Sequence, residues 1–181
     1  MKKLFILAAS ALISTSAFAE ESKWYVGGSV GVWHYETADA TSATITPEVG
    51  FNLNDKWTVG TSIGYRYSDT SNTSNNSFVF YPYARFNYFR AGIVSLFVEG
   101  GLDMKFGRTD IGDHDGDPSA FCGICIKPGV TVALNDKFSL VAKLGDFGFH
   151  LANDAAEAAG MHKGYGLDLH NNVSFGFYYN F

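Results

Sequence analysis

The sequence predicts an all-β chain closed into an eight-stranded antiparallel up-and-down transmembrane β-barrel. Three observations predict it. Apolar and polar residues alternate with a period of two through eight segments. The links between these segments are alternately short and long. After the first few residues, no apolar run approaches the ~20 residues that a spanning helix needs, so a membrane can be crossed only by strands.

The 181-residue chain opens with two lysines, an apolar run from Leu4 to Ile13 and small residues at Ala17 and Ala19. That is the layout of a cleavable export signal, and the run is too short for an anchor helix. A signal peptide over 1–19 and a single barrel domain over 20–181 are therefore expected. No cysteine directly follows the small-residue site, since both lie far downstream at Cys122 and Cys125, which argues against an acylated lipoprotein. A net charge of -5 and the absence of a basic run exclude a nucleic-acid surface.

The eight stripes follow in order. The first is Trp24, Val26, Gly28, Val30 and Val32; the second is Ile45, Pro47, Val49, Phe51 and Leu53. Trp57 to Tyr67 gives the third, and Phe78 to Phe86 the fourth, with Tyr81, Tyr83 and Arg85 on its other face. Val94 to Phe106 is the fifth, backed by Phe97, Glu99, Asp103 and Lys105. Ile124 to Leu134, Phe138 to Leu144 and Leu167 to Phe181 complete the set. An even count suits a closed antiparallel barrel.

"LNDKW" at Leu53 to Trp57 recurs as "LNDKF" at Leu134 to Phe138, and both read as tight turns. A third short link is expected around Phe89 to Gly92. The four longer links are Glu36 to Ser42, Ser68 to Ser77, Gly107 to Ala120 and His150 to Gly164. Short periplasmic turns and long external loops give this alternation, and it puts both termini in the periplasm.

The outward face is the next question. A secreted lipocalin-like soluble barrel would turn its apolar stripes inward. Against it, the polar faces are rich in glycine (Gly27, Gly31, Gly60, Gly64, Gly101, Gly129, Gly145, Gly176), which suits a crowded lumen. The apolar stripes carry Trp24, Trp57, Phe138, Tyr179 and Phe181 near one end and Tyr65 and Tyr67 near the other, as interfacial girdles do. Pro47, Pro82 and Pro128 each remove a ladder donor, so bulges or rim positions are expected there. Continued alternation places Asp146 on the lipid side.

With its signal, alternating strands, Asn-Asp-Lys turns and final "GFYYNF", the chain resembles the outer membrane β-barrel family of Gram-negative bacteria, the kind represented by OmpX and the OmpA transmembrane domain. The resemblance implies that Phe175, Phe177, Tyr179 and Phe181 form the signal read by the barrel assembly machinery. It also implies an outer membrane monomer in contact with lipid and lipopolysaccharide, with no cofactor and no nucleic acid partner.

Eight strands enclose a space that side chains fill, so a diffusion pore is not expected. The inward charges Glu48, Arg66, Arg85, Glu99, Asp103, Lys105, Lys127, Lys143 and Asp168 read as a packed ion-pair network. A lipid A-modifying enzyme is the alternative. "FHLAND", Phe149 to Asp154, is similar to the His-x-Ser-Asn segment of the lipid A deacylase family, but Ala152 occupies the nucleophile position beside His150. A non-enzymatic scaffold is therefore expected, with an extracellular partner contacted through mobile loops.

Two short motifs remain. Asp110, Asp113, Asp115 and Asp117 in "DIGDHDGDP" supply oxygen ligands for a weak calcium or magnesium site, or simply a solvated acidic loop. Cys122 and Cys125 have CxxC spacing, and an oxidising compartment favours a disulfide. On an extended strand they lie ~10 Å apart, beyond the ~7 Å limit, so the bond requires a turn or bulge between them.

Overall fold

The computed structural model describes residues 23–35, 40–70, 73–111, 116–158, 161 and 163–181. The expected signal peptide lies outside them. Eight strands form one closed barrel with each strand paired to its sequence neighbours. They are β1 (Trp24–Tyr35), β2 (Ala40–Asn52), β3 (Trp57–Thr70), β4 (Thr73–Ala91), β5 (Val94–Ile111), β6 (Pro118–Ala133), β7 (Phe138–Ala152) and β8 (Gly164–Asn180). One short helix, α1 (Asp154–Ala158), lies in the β7–β8 connection.

The alternation decides the faces as expected for a membrane barrel. Tyr25, Tyr81, Tyr83, Phe97, Arg85, Glu48, Glu99 and Asp103 are buried in the lumen, while Val30, Ile63, Leu102, Ile124, Leu140, Phe175 and Phe177 stand exposed outside. An outer surface of this kind is stable only against acyl chains. Trp24 and Phe51 (4.9 Å), Trp57 and Phe86 (4.9 Å), and Phe138 and Tyr179 (5.2 Å) pair their rings around one rim.

At that rim the two Asn-Asp-Lys repeats fold alike. Asn54 Oδ1 accepts the Lys56 and Trp57 amides, and Asn135 Oδ1 accepts the Lys137 and Phe138 amides, all at 2.8–2.9 Å. The Leu53 and Leu134 amides donate to the carbonyls of Trp57 and Phe138 and close each hairpin. The third short turn centres on Gly92, whose φ of 57° is the left-handed region that favours glycine.

At the opposite rim the strands run further than the sequence indicates. Ser68 to Ser77 is not a mobile loop over its described residues: β3 and β4 pair as far as Thr70 with Thr73. β4 in turn pairs with β5 from Thr73 with Ile111. Backbone pairing satisfies these polar residues as well as solvent does, and polarity alone cannot tell a loop from a strand above the bilayer. At 19 and 18 residues, β4 and β5 far exceed the ~9–11 that cross a membrane. The strands on this side extend past the length that a bilayer covers and form a wall at the rim.

Asp146 is corrected. It is buried in the lumen, because β7 breaks register between Leu144 and Asp146. Gly145 takes a φ of 68°, and the extra residue turns the alternation over, so that Phe147 and Phe149 face out and His150 faces in. The prolines behave differently from the expectation. Only Pro128 lies at a register shift, between Ile126 and Gly129. Pro47 and Pro82 each fall in a gap of one ladder, and register resumes unchanged on either side.

Candidate functional site

The lumen divides into a packed floor and an open chamber. The floor is built on Arg85 of β4. Its Nη2 lies 2.6 Å from Glu99 Oε2 and 3.1 Å from Glu48 Oε1, and its Nε donates to Glu99 Oε2 at 3.0 Å. Lys143 Nζ from β7 reaches the other oxygen of each carboxylate, at 3.0 Å from Glu48 Oε2 and 2.9 Å from Glu99 Oε1. Two cations thus face two anions, and every charge has more than one partner. Burial of these ions costs several kcal/mol each unless they are matched in this way.

Tyrosines complete the floor. Tyr83 and Tyr178 donate to Glu48 Oε1 at 2.5 and 2.7 Å, Arg85 donates to the Tyr178 hydroxyl at 2.7 Å, and Tyr25 bonds Tyr83. The Arg85 guanidinium also stacks 4.2 Å from the Phe97 ring centre. Phe97 fits because Gly129 lies beside it: a Cβ there would strike the ring. Strand neighbours two apart on β4 and β5 therefore meet a carboxylate from β2 and an ammonium from β7, which no local spacing reveals.

Above the floor, Lys105 and Lys127 share Asp103 at 3.2 and 3.8 Å. Lys127 lies 4.1 Å from the Tyr81 ring and Lys105 4.3 Å from Phe121. A cavity of about 660 Å³ extends over this cluster, and Arg66, Asp146, His150 and Asp168 also line it. The expected single network is therefore two. Glu48, Arg85, Glu99 and Lys143 close the floor, and Asp103, Lys105 and Lys127 line the chamber. Arg66 joins neither and is exposed; among the described residues it forms no ion pair.

Glu99 and Asp103 fall in different clusters and do not form an acid pair. His150 Nε2 approaches Asp146 Oδ2 at 3.3 Å and its ring packs on Phe121 at 5.0 Å, but among the described residues it has no hydroxyl partner. "FHLAND" has a structural use instead. Asn153 Oδ1 caps α1 through the Ala156 amide at 2.9 Å, and its side chain ties to Ala120 and Pro118 of β6.

Asp113 and Asp115 lie outside the described residues. Asp110 Oδ1 accepts the Gly116 amide at 3.0 Å, and no cluster of metal-ligating side chains forms among the described residues. Cys122 is exposed on the lipid face and Cys125 buried in the lumen, both as free thiols. β6 stays regular between them, so the turn that a disulfide needs is missing. Phe175 and Phe177 point outward, and the Phe181 amide bonds the Trp24 carbonyl at 3.1 Å, which seats the last residue of the chain at the closing seam.

A closed barrel with an apolar exterior, aromatic rim and ion-paired lumen defines an outer membrane β-barrel protein. Residues 5–181 match the family described as the outer membrane protein beta-barrel domain, and the chain belongs to that family. Among solved structures it is similar to the crystal structure of Neisserial surface protein A (NspA), with a TM-score of 0.54 and 16% identity over 88% of this chain and 98% of that one. At that identity the likeness concerns the fold. No curated protein matches the sequence.

Proposed function

We propose that the protein is a non-enzymatic, plugged scaffold of the outer membrane, with both termini in the periplasm and its raised outer wall contacting a partner at the cell surface. The observation that carries the reading is the floor. Arg85 bonds two carboxylates and the Tyr178 hydroxyl, Lys143 ties the same two carboxylates, and eight strands enclose a space that side chains of this kind fill. The projecting β3–β6 wall, with Ser68, Asn76 and the acidic connection after β5, supplies the contact surface. The aromatic pattern at Phe175, Phe177, Tyr179 and Phe181 supports recognition by the assembly machinery.

Planar-bilayer recording tests the plug. The purified protein is expected to show no stepwise current, and regular steps in the unmodified chain overturn it. Whole-cell binding by strains with and without 70–73 shortened tests the contact surface, and protease access to a tag after Phe181 tests orientation. Lipid A of unchanged mass with and without the protein is the expected result for a scaffold; a mass change establishes an enzyme.

A further inference from the structure

We propose that the seam between β1 and β8 is a lateral portal for a single-chain carboxylate amphiphile, whose head sits in the lumenal chamber and whose tail lies in a groove facing the bilayer. The inference goes beyond the scaffold reading and uses only its closed floor.

The seam is the weak line of the wall. β1 pairs with β2 over its whole length, to Tyr35 with Ala40. Its ladder with β8 runs only from Tyr25 with Asn180 to Gly28 with Phe177. The next step would join Ser29 to Gly176, and it does not form. Ser29 Oγ turns to Thr46 of β2 instead, at 2.6 Å. On its other side β8 slips against β7, passing from Leu144 with Val173 to Asp146 with Asp168. Two steps along β7 then span five along β8, so β8 carries surplus chain where it leaves β1.

The cavities follow this defect. The chamber of about 660 Å³ reaches both faces of β8, at Ser174 inside and Phe175 outside. A second hollow of about 590 Å³ is lined by the outward Val30, Val132, Leu140 and Phe177. Gly28, Ser29, Val141, Phe175 and Gly176 line both hollows, so the two adjoin at the seam. Unpaired strand edges are not stable in hydrocarbon and persist only beside water or a polar lumen. The portal is therefore where the wet chamber meets acyl chains, and an amphiphile satisfies both sides.

Charge selects the head. Arg66, Lys105 and Lys127 line the chamber, and Asp103 is the one carboxylate within ion-pair distance of any of them among the described residues. Two lysines thus share one carboxylate, and among the described residues Arg66 has none within ion-pair distance, which leaves this side of the chamber open to an anionic head. Of the other acids lining the chamber, Asp146 is beside His150, Glu48 is held by Arg85 and Lys143, and Asp168 faces Asp146 across the β7–β8 ladder and has a partner of its own.

The test uses the full mature chain in phosphatidylcholine nanodiscs with cis-parinaric acid, a fluorescent long-chain carboxylate, and its methyl ester. Saturable binding of the acid above empty nanodiscs is expected. Val30→Cys with Phe175→Cys, in a Cys122→Ser, Cys125→Ala background, bridges the seam when oxidised; at least a tenfold loss of affinity that dithiothreitol reverses is expected. Ala142→Trp, which fills the groove without any bond, gives the same loss. Arg66→Gln weakens the acid at least fivefold and leaves the ester unchanged. Heat-modifiable gel migration confirms that each variant is folded. No saturable signal, or full affinity with the groove filled, overturns the portal. Ester binding as tight as acid assigns the groove to bilayer acyl chains and overturns the carboxylate. Bilayer conductance is read separately, so a leaky floor and an empty portal are distinguishable failures.

Discussion

Arg85 shows how a polar residue becomes the centre of a membrane protein. Its guanidinium has a flat face for Phe97 and a fork of donors for Glu48, Glu99 and Tyr178, and lysine offers neither the plane nor the fork. Arg85→Met leaves two buried carboxylates against Lys143 alone. Breaking a buried pair by removing one partner costs about 3–5 kcal/mol, and urea titration of the protein folded into vesicles is expected to show a loss of that size. The cysteines give a second residue-scale prediction. A membrane-impermeant maleimide is expected to leave Cys125 unmodified in the folded barrel, and both thiols to react after unfolding without any reductant. A need for reductant contradicts the free-thiol arrangement.

At the scale of the strand, the consequences of a single inserted residue reach furthest in β7. The stripe Phe138, Leu140, Ala142, Leu144 reads cleanly from the sequence, yet its continuation does not, because Gly145 adopts a left-handed φ and reverses the faces beyond it. A lone glycine on a glycine-rich face carries no mark that distinguishes a bulge from a residue chosen for lumenal space. Gly145→Ala adds a single methyl and disfavours the left-handed conformation by about 1–2 kcal/mol, which the same urea titration measures. The two Asn-Asp-Lys turns were fully legible, since their asparagines act on amides two and three residues away. Asn135→Ala removes both bonds and is expected to cost about 1–2 kcal/mol by the same measurement.

For the molecule as a whole, the floor and the wall have separate consequences. Truncating two floor tyrosines, Tyr83→Ala with Tyr178→Ala, removes the rings that fill the lumen around Glu48. Discrete current steps in planar bilayers are expected for this variant, against silence for the parent chain; silence in both places the barrier elsewhere. Glu48, Arg85, Glu99 and Asp103 lie buried inside the barrel, but the division of the lumenal charges into floor and chamber was not readable, nor was the exposure of Arg66. Glu48 and Lys143 are 95 residues apart, and only closure of the cylinder brings them to 3.0 Å.

The sequence by itself determined the number of strands, the short turns and, up to the bulge in β7, which side of each strand meets lipid. These are local properties: a period of two and a turn asparagine act over a few residues. Tertiary structure alone decided which lumenal charges pair, how far the β3–β5 wall extends, which face Asp146 takes and where the β1–β8 ladder ends. Those depend on the stagger of strands around a closed barrel, and stagger is fixed by the fit of side chains across the lumen rather than by any one segment.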